Sequence, residues 1–182
     1  MIYFLTIDLK SANFQILKQE GLIIDNSWKD LLKRQLEIIN PSVIESNALE
    51  FLNKSKSLRL KTLSKFDYKE HYIIAGNIIL TVLDSLIKNN IVDEKDFYLY
   101  NGDEIIFKVD DLNKDILKEK CENYLKKQYP NLEMHIEVFL LIKLDSGNHY
   151  AKFNENTNKV SFKCVKMDDL LDVVKAWDKI II

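Results

Sequence analysis

Three carboxylates carry the chemistry open to this sequence. Asp8 closes the apolar run Ile2–Ile7, and Asp103-Glu104 follows Asn101-Gly102 about 95 residues later. Acids brought together repel one another. Mg²⁺ or Mn²⁺ is the usual counterweight, because hard divalent ions take oxygen ligands and leave positions open for phosphate. Two such ions activate an attacking oxygen and neutralise a leaving pyrophosphate in an in-line transfer. The turn after Asp8 adds a second ingredient. Amides of Leu9, Lys10, Ser11 and Asn13, leading into a helix that Ser11 can cap and that carries Phe14, offer N–H groups to a triphosphate. Lys10, or the basic run Lys54, Lys56, Arg59, Lys61 and Lys65, can neutralise its outer charges. Asp8, Asp103 and Glu104 are therefore the candidate catalytic and metal-binding residues. Leu9, Lys10, Ser11, Asn13, Phe14, Arg59 and Lys61 are the candidate nucleotide-binding ones.

These residues can meet only if the elements around them fold appropriately. The run Ile2–Ile7 suits a short strand covered on both faces. Helical spacing follows from Ser11 to Gly21, from Trp28 to Ile39 where Asn40-Pro41 breaks it, from Ser42 to Leu52, and over Tyr68–Lys88. Phe97–Tyr100 and Ile105–Val109 read as two strands joined through Asn101-Gly102, whose positive φ angles suit a two-residue turn. A helix over Asn113–Gln128, a long strand over Leu132–Leu144, a hairpin of Tyr150–Phe153 and Val160–Val165, and a terminal helix over Met167–Trp177 complete the order.

The order predicts an α+β, ferredoxin-like antiparallel sheet with inserted helices and a C-terminal hairpin-helix extension. In such a sheet the first and third strands are antiparallel neighbours. The end of the first, Asp8, then lies beside the start of the third, Asp103-Glu104.

The composition fits a single domain. The chain has 182 residues, 47% hydrophobic and 30% charged, and only four Gly and two Pro, which leaves little for linkers. A net charge of −2 exerts no global pull on nucleic acid or membranes. No apolar run approaches a membrane span, and MIYFLTIDLK lacks the basic start and cleavage site of a signal peptide, so a cytoplasmic protein is expected. Cys121 and Cys164 form no CxxC motif, and His71, His135 and His149 show no metal-ligand spacing. Phosphate-loop, GxGxxG, GxSxG and HExxH motifs are absent from the sequence.

Three patches carry a resemblance. YNGDEIIF (100–107) resembles the signature hairpin of GGDEF-type nucleotidyl cyclases. FLTIDLKSANF (4–14) is similar to motif A of polymerase palm domains, and its wording is close to reverse transcriptases. GNIILTVLDSL, from Gly76, resembles the G-D-x-x-L helix of the cyclases, with Asn77 in place of the acid. The resemblance implies a palm-domain nucleotidyltransferase that uses Mg²⁺ or Mn²⁺ and a nucleoside triphosphate, with Asp8 and Asp103 as metal ligands and Glu104 a ligand or close neighbour. The attacking hydroxyl would belong to a nucleic-acid 3′ end or to a second nucleotide.

Two departures stand out. Lys10 occupies the place of a second acid, and the stretch from Asp8 to Gly76 is longer than in the cyclases, so residues 22–66 read as a helical insertion in one palm-like domain spanning 1–182. The competing expectation is a catalytically inactive ferredoxin-like module that binds nucleic acid, nucleotide or protein. In that case Asn101-Gly102 is simply a good turn, and the basic run is a solvated amphipathic segment.

Overall fold

The structure is a computed structural model describing residues 2–39, 48–55, 68–143 and 150–163. Its strands are β1 (Tyr3–Leu9), β2 (Phe97–Asn101), β3 (Glu104–Val109), β4 (Met134–Lys143), β5 (Tyr150–Asn154) and β6 (Lys159–Lys163). They form one antiparallel sheet in the order β2-β3-β1-β4-β5-β6. The described helices are α1 (Ala12–Gln19), α2 (Trp28–Ile39), α3 (Ala48–Lys54), α4 (Tyr68–Lys88) and α5 (Lys114–Gln128), with a 3₁₀ turn at Glu94–Asp96. This is the α+β architecture the sequence predicts, with an antiparallel sheet and flanking helices.

Strand β1 lies between β3 and β4 and is buried along nearly all its length, as a run that is apolar except for Thr6 implies. Side chains alternate across it. Tyr3, Leu5 and Ile7 join Ile79, Val82 and Leu86 of α4 and Cys121 and Leu125 of α5 in the main core. On the opposite face Phe4 stacks on Phe139 at 5.8 Å between ring centres, and Thr6 is 1% exposed.

Helix α4 buries Ala75, Ile79, Val82 and Leu86, a stripe at helical spacing. Glu70–Lys88 also has the length and apolar composition of a membrane span, a candidate that counting unbroken apolar runs passes over. Its buried stripe packs on the sheet, which is how a core helix is composed. Burial pushes the Cys121 thiol up to about 12, which suits an unreactive core thiol.

At the end of the sheet remote from Asp8, Lys114 opens α5 and ties three elements together. Its Nζ lies 2.7 Å from Glu155, 2.8 Å from Asp111 and 3.8 Å from the centre of the Tyr3 ring. The Tyr3 hydroxyl donates to Glu155 at 2.8 Å. The cation and the phenol hold the Glu155 carboxyl below its usual range.

Two expectations need correcting. The hairpin turn is centred one residue later than Asn101-Gly102 implies. Asn101 pairs with Glu104, and positive φ is confined to Gly102 (67°), so Gly102-Asp103 makes the turn. Ser11 precedes α1, yet its hydroxyl makes no capping bond. It adopts a left-handed backbone (φ 52°), and its carbonyl accepts from the Phe14 and Gln15 amides. Residues 42–47 of the third predicted helix, the break at Asn40-Pro41, most of the basic run, and the terminal helix over Met167–Trp177 lie outside the described residues.

Candidate active site

Strand pairing brings the three acids to one edge of the sheet. Asp8 is the register partner of Glu104 on β3 and of His135 on β4. Directly opposed residues point to the same face, so Glu104, Asp8 and His135 form a row across three strands. The face is the one remote from α4 and α5, because Asp8 shares the parity of Phe4 and Thr6. Asp103 sits in the adjoining turn, and its carbonyl accepts the Leu9 amide at 3.0 Å, which fastens the hairpin tip to the end of β1.

This gathering changes Asp8. Its carboxyl is raised from 3.8 to about 6, first by burial, then by the charges of Asp103 and Glu104, against a weaker pull from His135 and Lys152. Glu104 has a partner of its own: the buried Thr6 hydroxyl donates to its Oε1 at 2.7 Å. Beside them Glu137 accepts from Lys152 at 2.6 Å and from Asn154 at 2.7 Å. Among the described residues, no group of three or more His, Cys, Asp or Glu side chains stands close enough to hold a metal ion.

The hairpin tip is seated on α4. A Cβ at Gly102 would fall 2.7 Å from the Tyr72 hydroxyl and 2.8 Å from its ring. A Cβ at Gly76 would collide with the Tyr100 hydroxyl. Gly76 thus allows the long helix to approach the hairpin that presents the acids.

The residues expected to meet phosphate differ in which of their groups already have partners. The Leu9 amide is taken by Asp103 and the Lys10 amide by the Glu133 carbonyl, both at 3.0 Å, so neither is free for a ligand. The amides of Ser11, Ala12 and Asn13 have no carbonyl partner among the described residues. The Lys10 ammonium pairs with Glu133 at 3.0 Å in an exposed position. Gln15 clamps the same turn: its amide donates to the Lys10 carbonyl and, at 2.8 Å, to the Glu133 carbonyl, and its oxygen accepts the Glu133 amide at 2.8 Å.

A cleft of about 630 Å³ opens beside α1, lined in part by Lys10, Ser11, Phe14, Lys18 and Trp28. Phe14 and Trp28 form its aromatic wall, with ring centres 5.2 Å apart. Arg59 and Lys61 lie outside the described residues.

Reading residues by type alone missed Thr6, Gln15 and His135. Thr6 was detectable, because a residue two before Asp8 on a strand must share its face. Gln15 and His135 acquire roles only through β4, which no local pattern links to β1. His71 is buried on α4, and its Nδ1 has no hydrogen-bond partner among the described residues. No protein-family model, no curated protein and no solved structure matches this chain at a significant level.

Proposed function

We propose that the chain is a small palm-type nucleotidyltransferase, which attacks the α-phosphate of a nucleoside triphosphate with a hydroxyl group. The observation that carries this reading is the pairing of Asp8 with Glu104 while the Asp103 carbonyl holds the Leu9 amide. It sets three acids from distant sequence positions beside the N-terminus of α1. The strand order β2-β3-β1-β4, with α4 and α5 packed on one face, supports a ferredoxin-like palm as the framework.

The donor set suits Mg²⁺ or Mn²⁺ in kind, since all three groups offer hard carboxylate oxygens. It falls short of a complete shell, and Mg²⁺ sites commonly take one or two carboxylates and complete themselves with water and substrate phosphate. One or two of Asp8, Asp103 and Glu104 would hold the ion, which would supply charge neutralisation at the transferring phosphoryl group. Thr6 fixes the Glu104 carboxylate. The Ser11, Ala12 and Asn13 amides can receive phosphate oxygens at the positive end of α1. Lys10 and Lys18 add charge to the cleft beside α1, and Phe14 and Trp28 wall one side of it, while none of the three acids is among its lining residues.

A second reading, a module that binds nucleotide without turning it over, draws support from Lys10. This residue stands where many palms carry an acid and is engaged by Glu133. Binding of nucleic acid over the middle of the sheet finds less support, because Phe4, Thr6 and Phe139 are buried there.

Pyrophosphate release separates the readings. The protein is incubated with each nucleoside triphosphate and Mg²⁺ or Mn²⁺, with and without an oligonucleotide primer. Release that chelation abolishes is the expected result. Release without primer assigns the hydroxyl to a second nucleotide, and strict primer dependence assigns it to a 3′ end. No release under any condition, with nucleotide still bound, would leave the non-catalytic reading.

A further inference from the structure

Strand β2 is the edge of the sheet. It pairs with β3 on one side and, among the described residues, with nothing on the other. All five of its residues are exposed, Tyr98 by 50% and Leu99 by 45%. Sheet edges are normally blunted by lysine, proline or a bulge, because free N–H and C=O groups template further pairing. Phe97–Asn101 contains no charge and no proline; its register shifts between Phe97 and Leu99, and the Lys108 ammonium of β3 lies over the Tyr98 ring at 5.0 Å. Tyr72 and Ile73 of α4 are also exposed, and Tyr72 stands beside the Gly102 turn at the end of this strand. The strand is acidic at both ends. Asp93, Glu94 and Asp96 precede it, and Asp103 and Glu104 follow it. Lys95, the one cation among them, is already paired with Asp93 at 2.8 Å.

We propose that β2 is a docking strand for an extended peptide of a partner protein, apolar at its centre and carrying Lys or Arg at both ends. The peptide adds a seventh strand to the sheet. Main-chain hydrogen bonds supply affinity, and alternate side chains read the apolar edge. Its basic ends meet the acids that bracket β2. A second copy of this chain brings no basic ends to β2, since its own β2 is bracketed by acids, and so it is the poorer match in charge. The proposal shares Asp103 and Glu104 with the nucleotidyltransferase reading, so the peptides are measured without divalent metal or nucleotide, where the two are distinguishable.

The test uses the full chain and two labelled peptides of identical charge, measured by fluorescence anisotropy at about 150 mM salt, where exposed charges are screened beyond roughly 8 Å. One is Lys-Lys-Val-Thr-Val-Thr-Val-Lys-Lys. The other replaces both threonines with proline and cannot form a strand ladder. Micromolar binding of the first, at least tenfold weaker binding of the second, and a comparable loss in the Leu99→Lys variant are expected. Circular dichroism verifies that the variant is folded, and if it is not, the two peptides on the wild-type chain decide. Equal binding of both peptides reduces the effect to charge and overturns the proposal, as does binding of neither. Sedimentation showing that the pure protein dimerises, and that Leu99→Lys abolishes the dimer, would give the edge to a second copy instead.

Discussion

Replacing Asp8 with Asn is expected to lower pyrophosphate release at least a thousandfold and, at the same time, to make the protein more stable at neutral pH. The first effect follows from removing the acid at the centre of the row. Loss of one group that stabilises charge in a transition state typically costs about 10²–10³ in rate, and Asp8 would also take part in holding the metal. The second effect follows from the price of ionising Asp8 where it stands. Its carboxyl titrates at about 6 in the folded protein against an ordinary value of 3.8. Below pH 3.8 the group is protonated in both states and burdens neither. As pH rises toward 6 the unfolded chain ionises first, so folding is progressively disfavoured, and above 6 the full penalty persists. A shift of about two units corresponds to about 2–3 kcal/mol at most, and solvent at a half-buried group reduces it. For a domain of this size each kcal/mol moves Tm by about 2–4 °C. Melting of both proteins at pH 4.5 and pH 7.5 checks the prediction. The advantage of Asp8→Asn should be small at the lower pH and several degrees at the higher. A variant less stable than wild type at both values would show that Asp8 is not strained by its acidic neighbours.

The second large effect lies at the hairpin tip. Gly102→Val is expected to destabilise the fold by about 2–3 kcal/mol, seen as a Tm lowered by roughly 4–12 °C. The backbone supplies the larger share. At φ 67° an L residue costs about 1–2 kcal/mol, and a β-branched side chain fares worst. The clash with Tyr72 supplies the rest, and it is softer because Tyr72 is 54% exposed and its ring can swing outward. The two causes separate in a Tyr72→Ala background, where only the steric part of a Gly102→Ala penalty is recovered. Activity should fall together with stability, since the turn that strains also carries Asp103. A Gly102→Val protein that melts within 2 °C of wild type would mean that the tip can flatten without cost.

Much of this arrangement was legible in the residues. The largely apolar run from Ile2 to Ile7 announces a strand covered on both faces, and Tyr68–Lys88 has the spacing and length of the helix that packs on it. Asn-Gly between two apolar runs announces a hairpin, and antiparallel pairing then brings Asp8 to Glu104. The turn centre slipped by one residue because Asn101 continues the ladder with Glu104, a choice made by cross-strand pairing that dipeptide preference does not see. The Ser11 cap failed for a related reason. The chain leaves β1 through a left-handed residue, and Gln15, held by Glu133 just before β4, stabilises the turn that the serine hydroxyl was expected to close. The hairpin tip takes the Leu9 amide and Glu133 takes the Lys10 amide, which leaves the amides of Ser11, Ala12 and Asn13 without a carbonyl partner among the described residues. In each case the sequence carries the local preference, and a neighbour distant in sequence decides the outcome.

In the nucleotidyltransferase reading, Asp8, Asp103 and Glu104 form one site for a divalent metal and a nucleoside triphosphate. Thermal unfolding tests it most directly, with Mg²⁺ or Mn²⁺, each nucleoside triphosphate, and both together, on the wild type and on Asp103→Asn. A ligand that binds only the folded state raises Tm, by an amount equivalent to about 2.7 kcal/mol at a hundred times its Kd. A rise that requires metal and nucleotide together and disappears in Asp103→Asn is expected. An unchanged Tm at saturating concentrations of both, or an equal rise in the variant, would contradict it.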